Sequence, residues 1–290
     1  MGDEVIHKEL KALISLLDEP DAEVYEQIRA KIHIYGTDAI PVLESAWEAS
    51  FEPMLQERIE EIIHLIQLDD LHASICSWSQ LGSEDLMNGF MLAARYQYPD
   101  LDSEKVIKQI GQLVQDVWLE LNNNLTALEK IKVVNHILFD VHKFRGNKSN
   151  IKSPDNLYMN ILLETKKGNP LSIGILFVII ARSLKLPVYG VDLPSHFVLA
   201  YMEAPDDEQP ETDGDHALFY INPFNRGTLF THNEIEAYIK QMKLPHNENY
   251  FRPCDNVTII KRVFGQLIEL HKEQGNSEKV EELRKLASGL

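Results

Sequence analysis

The chain has 290 residues, 44% of them apolar, enough to build a sizeable core in one large domain or a few smaller ones. Its 45 acidic against 28 basic residues leave a formal charge of −17, which repels phosphate backbones and anionic lipid and so excludes nucleic acid and membrane surfaces as expected partners. Two cysteines, Cys76 and Cys254, with no Cys/His cluster at zinc spacing argue against a disulfide framework or a structural metal, and no stretch nears the roughly 20 apolar residues of a membrane span. The opening "MGDEVIHKEL" is acidic where a secretory signal is basic and then apolar, so the expected address is the cytoplasm.

Residues 1–82 read as short amphipathic helices. Ile6, Leu10, Leu13, Ile14 and Leu17 form one stripe that stops at Pro20, and Val24, Ile28 and Ile32 form a second that stops at Gly36. "TDAIPVLESAWEA" and "EPMLQERIEEIIHLIQL" make a second pair, giving two helical units of about 35 residues in the manner of HEAT repeats. Helical patterning continues through "SEKVIKQIGQLVQDVWLEL" and "ALEKIKVVNHILFDVHKF" to a polar loop, "RGNKSNIKSPDN". A strongly apolar helix, "NPLSIGILFVIIARSLKLP", follows. After Pro187 the pattern shifts to short strands, "PVYGVDL", "HFVLAYM" and "ALFYINPF", with the acidic "EAPDDEQPETDGDH" as a hairpin loop between the last two. Two amphipathic helices broken at Gly275-Asn276 close the chain, a hairpin of tetratricopeptide size. The expected fold class is α+β, with segments 1–82 (helical extension), 83–245 (core: central helix plus small antiparallel sheet) and 246–290 (helical hairpin).

The phrases "AARYQYPDLD", "ILFDVHKFRGN", "GNPLSIGILFVIIARSLKLPVYGVDLPSHFVLAY" and "INPFNRG" resemble, in order and over about 200 residues, the SirB1-type branch of the transglutaminase-like superfamily. The resemblance implies a papain-like thiol fold: a Cys opening the central helix, a His beginning one strand, and an Asp or Asn ending the next. The helix end would lower the thiol pKa, the His would take its proton, and the third group would fix the imidazole tautomer. Counting back from Pro187, with Gly174 as the small residue of the helix, the Cys position falls on Pro170; His196 matches the base and Asn222 the third member.

Proline has neither a thiol nor the backbone N–H that such a residue gives to an oxyanion hole, while Asn169 as N-cap with Pro170 at N1 suits a helix start. Ser172, two residues on and so rotated by ~200°, is the substitute nucleophile to weigh, or simply a first-turn hydrogen-bonding residue. His196 reads either as the relic of a triad in contact with Asn222 or as a core histidine. Ser195 stands where the family phrase has Gly, narrowing the approach to His196. Asn147, Asn156 and Tyr158 match positions around the helix start and either line a pocket or satisfy loop backbone.

The 11 histidines form no metal-ligand pattern and there is no Gly-rich phosphate loop, so no cofactor is expected. The functional expectation is a catalytically inactive transglutaminase-like protein that binds a protein or peptide, basic by charge complementarity. The alternative is a hydrolase in which His196 and Asn222 activate water, or Ser172 attacks.

Overall fold

The computed structural model describes residues 2–194, 196–203, 217–245 and 247–290, and side chains from His7 onward; residues 204–216 of the expected acidic hairpin and Ser195 fall outside these. The chain divides into two compact units, 1–76 and 77–288, where the sequence reading draws three segments.

The first unit holds four helices, α1 (Gly2–Ile14), α2 (Ala22–His33), α3 (Ile40–Ala49) and α4 (Pro53–Ser77, which ends at the boundary). Leu10, Ile14, Leu17, Ile28, Ile32, Leu43, Ile59 and Ile62 form its core. Val24 departs from the expected stripe. It is exposed, and Tyr25 takes its place beside Ile28 and Ile32, because the i, i+3, i+7 spacing to Ile32 is met by residue 25. Arg58 crosses from α4 to cap the Leu17 and Glu19 carbonyls at 2.6 and 2.8 Å, satisfying the polar turn that ends at Pro20.

The second unit is mixed. Its helices are α5 (Leu86–Arg95), α6 (Ser103–Glu120), α7 (Ala127–Asn135), α8 (Met159–Thr165), α9 (Pro170–Ser183), α10 (His232–Gln241), α11 (Asn256–Glu273) and α12 (Ser277–Ala287). Two-residue strands β1 (Arg145–Gly146) and β2 (Lys167–Gly168) pair in parallel just before α9. An antiparallel sheet runs in sequence order through β3 (Val188–Leu193), β4 (His196–Met202), β5 (Ala217–Asn222) and β6 (Thr228–Phe230). This is the α+β arrangement that the sequence leads one to expect.

Helix α9 is the axis of this unit. Every residue from Leu171 to Ala181 is buried, so it is apolar all round, as a central helix must be. It packs on β3 and β4 on one side and on α5, α6 and α8 on the others. The other face of the sheet is covered by α10, with Val198, Ala200, Met202 and Tyr220 meeting Ile235 and Ile239. The terminal helices belong to this unit: α11 packs on α5, with Ile260, Val263, Phe264 and Leu267 buried, and α12 folds back over it through Val280, Leu283 and Leu286.

No helix among the described residues is long and apolar enough to cross a membrane.

Candidate functional site

The start of α9 is fixed by three consecutive choices. Asn169 is extended and accepts the Ser172 N–H at 2.8 Å, Pro170 occupies the first helical position, and Ser172 Oγ accepts the Asn169 N–H at 3.0 Å. Ser172 has no exposed surface and its hydroxyl is spent on this box, which corrects the thought of it as a nucleophile. Asn169 Nδ2 donates to Gln266 Oε1 at 3.0 Å, tying the helix start to α11. The loop before it is closed on itself. Asn147 Nδ2 donates to Asn156 Oδ1 at 2.8 Å, Asn156 Nδ2 donates to the Asn150 carbonyl at 2.7 Å, and the Asn147 N–H reaches the Gly168 carbonyl at 2.9 Å. The two amides therefore hold the approach to α9. Tyr158 is 1% exposed, its ring meets Tyr98 edge-on at 5.5 Å, its hydroxyl has no hydrogen-bond partner among the described residues, and burial pushes the phenol pKa up. A side chain so enclosed cannot touch a ligand in this arrangement.

His196 begins β4, and strand alternation decides where it looks. The next residue, Phe197, lies against α9: a Cβ on Gly174 would sit 2.7 Å from Phe197 Cδ1, which is why only glycine fits there. His196 therefore points to the opposite face, where α10 lies. Its Nδ1 is 2.9 Å from Tyr238 Oη and the two rings meet edge-on at 5.0 Å. Tyr238 donates its one hydrogen to the Pro194 carbonyl at 2.9 Å, so the network assigns the imidazole proton to Nδ1 and leaves exposed Nε2 as an acceptor.

Asn222 is engaged elsewhere. Its Oδ1 accepts the N–H groups of Phe224 and Asn225, both at 3.1 Å, capping the turn between β5 and β6. No hydrogen bond joins it to His196 among the described residues, which corrects the expected contact. Pro170, His196 and Asn222 thus lie in one unit, with His196 bonded to Tyr238 and Asn222 to its own turn.

Neither thiol takes the vacant role. Cys254 donates to the Gly190 carbonyl at 3.3 Å, and burial beside Asp255 pushes it up to about 12, while Cys76 lies in α4 of the first unit. No group of three His, Cys, Asp or Glu side chains among the described residues could hold a metal.

The residue missed by sequence reasoning is Tyr238, since residues 231–245 are given no element there. The signal is present: Thr231 and Glu234 form a capping box, and Ile235, Tyr238 and Ile239 recur at helical spacing.

A family model described as the transglutaminase-like superfamily matches residues 104–265. A UPF0162 protein of Xylella fastidiosa (strain 9a5c) is 27% identical over 211 residues, covering 69% of this chain and 70% of its own. UPF0162 protein YchA of Escherichia coli (strain K12) is 24% identical over 185 residues, 63% of this chain and 65% of its own. F-box only protein 21 of Mus musculus is 30% identical over 155 residues, 53% of this chain and 24% of its own. No solved structure matches.

Proposed function

This chain belongs to the transglutaminase-like superfamily, and from that premise we propose that it is a SirB1-type member without thiol catalysis, working as a protein- or peptide-binding module in the cytoplasm. The observation that carries the reading is the start of α9. Pro170 stands where the nucleophile would be, inside a closed capping box, and it supplies neither a thiol nor an oxyanion donor. The neighbouring groups support it, since the orienting amide of Asn222 caps a turn and the imidazole of His196 is held on the far face of the sheet. The match to 24% of F-box only protein 21 also supports a module, because the same core there sits within a much longer chain.

In this reading residues 1–82 are a HEAT-like extension, 83–245 the core and 246–290 a tetratricopeptide-like hairpin. Helical surfaces of this kind carry contacts for peptides and proteins, and a chain of −17 favours a basic partner over nucleic acid or membrane. No cofactor enters.

One observation favours a second reading. Exposed His196 has Nε2 open and its tautomer set by Tyr238, so it could take a proton from water as the oxygen attacks an ester or amide carbonyl, with Tyr238 in the orienting place once given to Asn222.

Turnover of an ester and amide panel by the full chain, beside His196→Ala, separates the two. Absence of turnover in both proteins is the expected result. Activity in the wild type that disappears in His196→Ala would overturn the binding reading and establish the water-activating one.

A further inference from the structure

A cavity of about 480 Å³ opens beside the β3–β4 turn, lined by Asp192, Leu193, Pro194, Tyr250, Thr258, Lys261 and Arg262. Several acceptors on its wall are already engaged. The Asp192 carboxylate pairs with Arg262 Nη1, the same nitrogen donates to the Leu193 carbonyl at 3.0 Å, and the Pro194 carbonyl receives Tyr238.

Part of the donor set is uncommitted. Arg262 Nη2 and Nε make no hydrogen bond among the described residues, although the side chain is only 15% exposed. The Tyr250 hydroxyl has no partner among them either, whereas the Thr258 side chain is hydrogen-bonded to the Asp255 carboxylate, which also attracts Lys261. Arg262 and Lys261 stand against the carboxylates of Asp192 and Asp255, so recognition here rests on the open edge of the guanidinium and not on a local excess of positive charge.

We propose that this cavity binds a carboxylate group, seated on the free edge of the Arg262 guanidinium with Lys261 and Tyr250 beside it. The planar fork of Arg262 matches a carboxylate through two parallel hydrogen bonds. A phosphate dianion fits less well, since it would bring a second negative charge against Asp192 and Asp255. The group can arrive on a peptide C-terminus or as a free small acid. A basic peptide also ends in a carboxylate, so the site is compatible with a basic partner. The inference needs neither Pro170 nor His196, so its failure would leave the preceding reading untouched.

The test is a titration of the isotope-labelled full chain, followed by backbone amide shifts, with N-acetyl-Ala-Ala as the free acid, with its C-terminal amide, and with acetate. The free acid should move the amides of Asp192, Leu193, Tyr250, Thr258 and Arg262, and the amide form should not. Lys261→Gln, an exposed change, should weaken binding about five-fold. Arg262→Lys should weaken it about ten-fold by losing the fork, with the circular dichroism spectrum checking that its clamp on β3 survives. Acetate binding as well as the dipeptide acid would identify free small acids as the source, and binding of the dipeptide alone would identify a peptide terminus. Equal binding of acid and amide, no shifts with any probe, or an unchanged affinity in Lys261→Gln would overturn the proposal.

Discussion

His196 and Tyr238 are linked by a 2.9 Å contact from Nδ1 to Oη, and the hydroxyl passes its own hydrogen on to the Pro194 carbonyl. An imidazole in a thiol enzyme is oriented by an amide or carboxylate on the neighbouring strand, whereas this one is oriented by a phenol on the helix behind the sheet. Tyr238→Phe removes the acceptor for Nδ1–H and leaves the Pro194 carbonyl to solvent. The loss should be about 1 kcal/mol in unfolding free energy. Nitrogen chemical shifts of His196 should move from a single tautomer to a mixture. Unchanged shifts would mean that Tyr238 does not set the tautomer.

The same geometry makes Pro170→Cys informative. A cysteine at the first position of α9 gains the field of a half-buried helix N-terminus, which lowers a thiol below its ordinary value of about 8.5. It does not gain an imidazole, because Phe197 and not His196 faces α9. In a Cys76→Ser background, with Cys254 pushed up to about 12 and inert, the pH dependence of alkylation reads this one thiol. Adding His196→Ala should leave the profile in place. A shift upward on removing His196 would show that the ring reaches the helix end after all.

How far the residues spoke for themselves depends on the range of the interaction. The start of α9 was legible because a capping box and a proline at N1 are local, lying within four residues of chain. Three strands of the sheet and the terminal helical hairpin were legible from periodicity, while β6, three residues long, carries too short a pattern to be read. The partnership of His196 was not, since it depends on a residue 42 positions away, in a helix to which the sequence reading assigns no element. Asn222 was misleading for a related reason. An Asn before Pro-Phe-Asn carries its own local use, an Asx cap, which competes with any distant partner. The segment boundaries at 82 and 245 followed changes in pattern, while the compact units follow packing, and α11 packs on α5 in the core.

Gly174 tests the packing that turns His196 away. Its absent side chain admits the Phe197 ring, with Cδ1 and Cε1 at 2.7 and 2.8 Å from where a Cβ would be and Pro223 Cγ at 3.3 Å. Gly174→Ala should therefore destabilise by about 1–3 kcal/mol, despite the better helix propensity of alanine, because both neighbours are core groups with little room to shift. Urea unfolding midpoints measure this directly. In a Phe197→Leu background the cost of Gly174→Ala should fall, and equal costs in both backgrounds would show that the two residues are not in contact.

His271 gives a prediction about acid. It sits in α11, 4% exposed, with Nε2 buried and without a partner and Nδ1 3.5 Å from Asn276 Nδ2. Burial, and then the charge of Lys279, lower its pKa below the ordinary value of about 6.5. The unfolded chain therefore takes up a proton before the folded one does. The contribution is intact above about pH 6.5 and is lost progressively as pH falls through that value towards the lower folded pKa. His271→Leu, which keeps an apolar side chain against α12 and does not titrate, should flatten this part of the stability profile. Between about pH 7 and pH 5 the wild type should lose unfolding free energy faster than the variant. Parallel profiles would mean that the folded hairpin accommodates the imidazolium, and that His271 is open to water despite its place between α11 and α12.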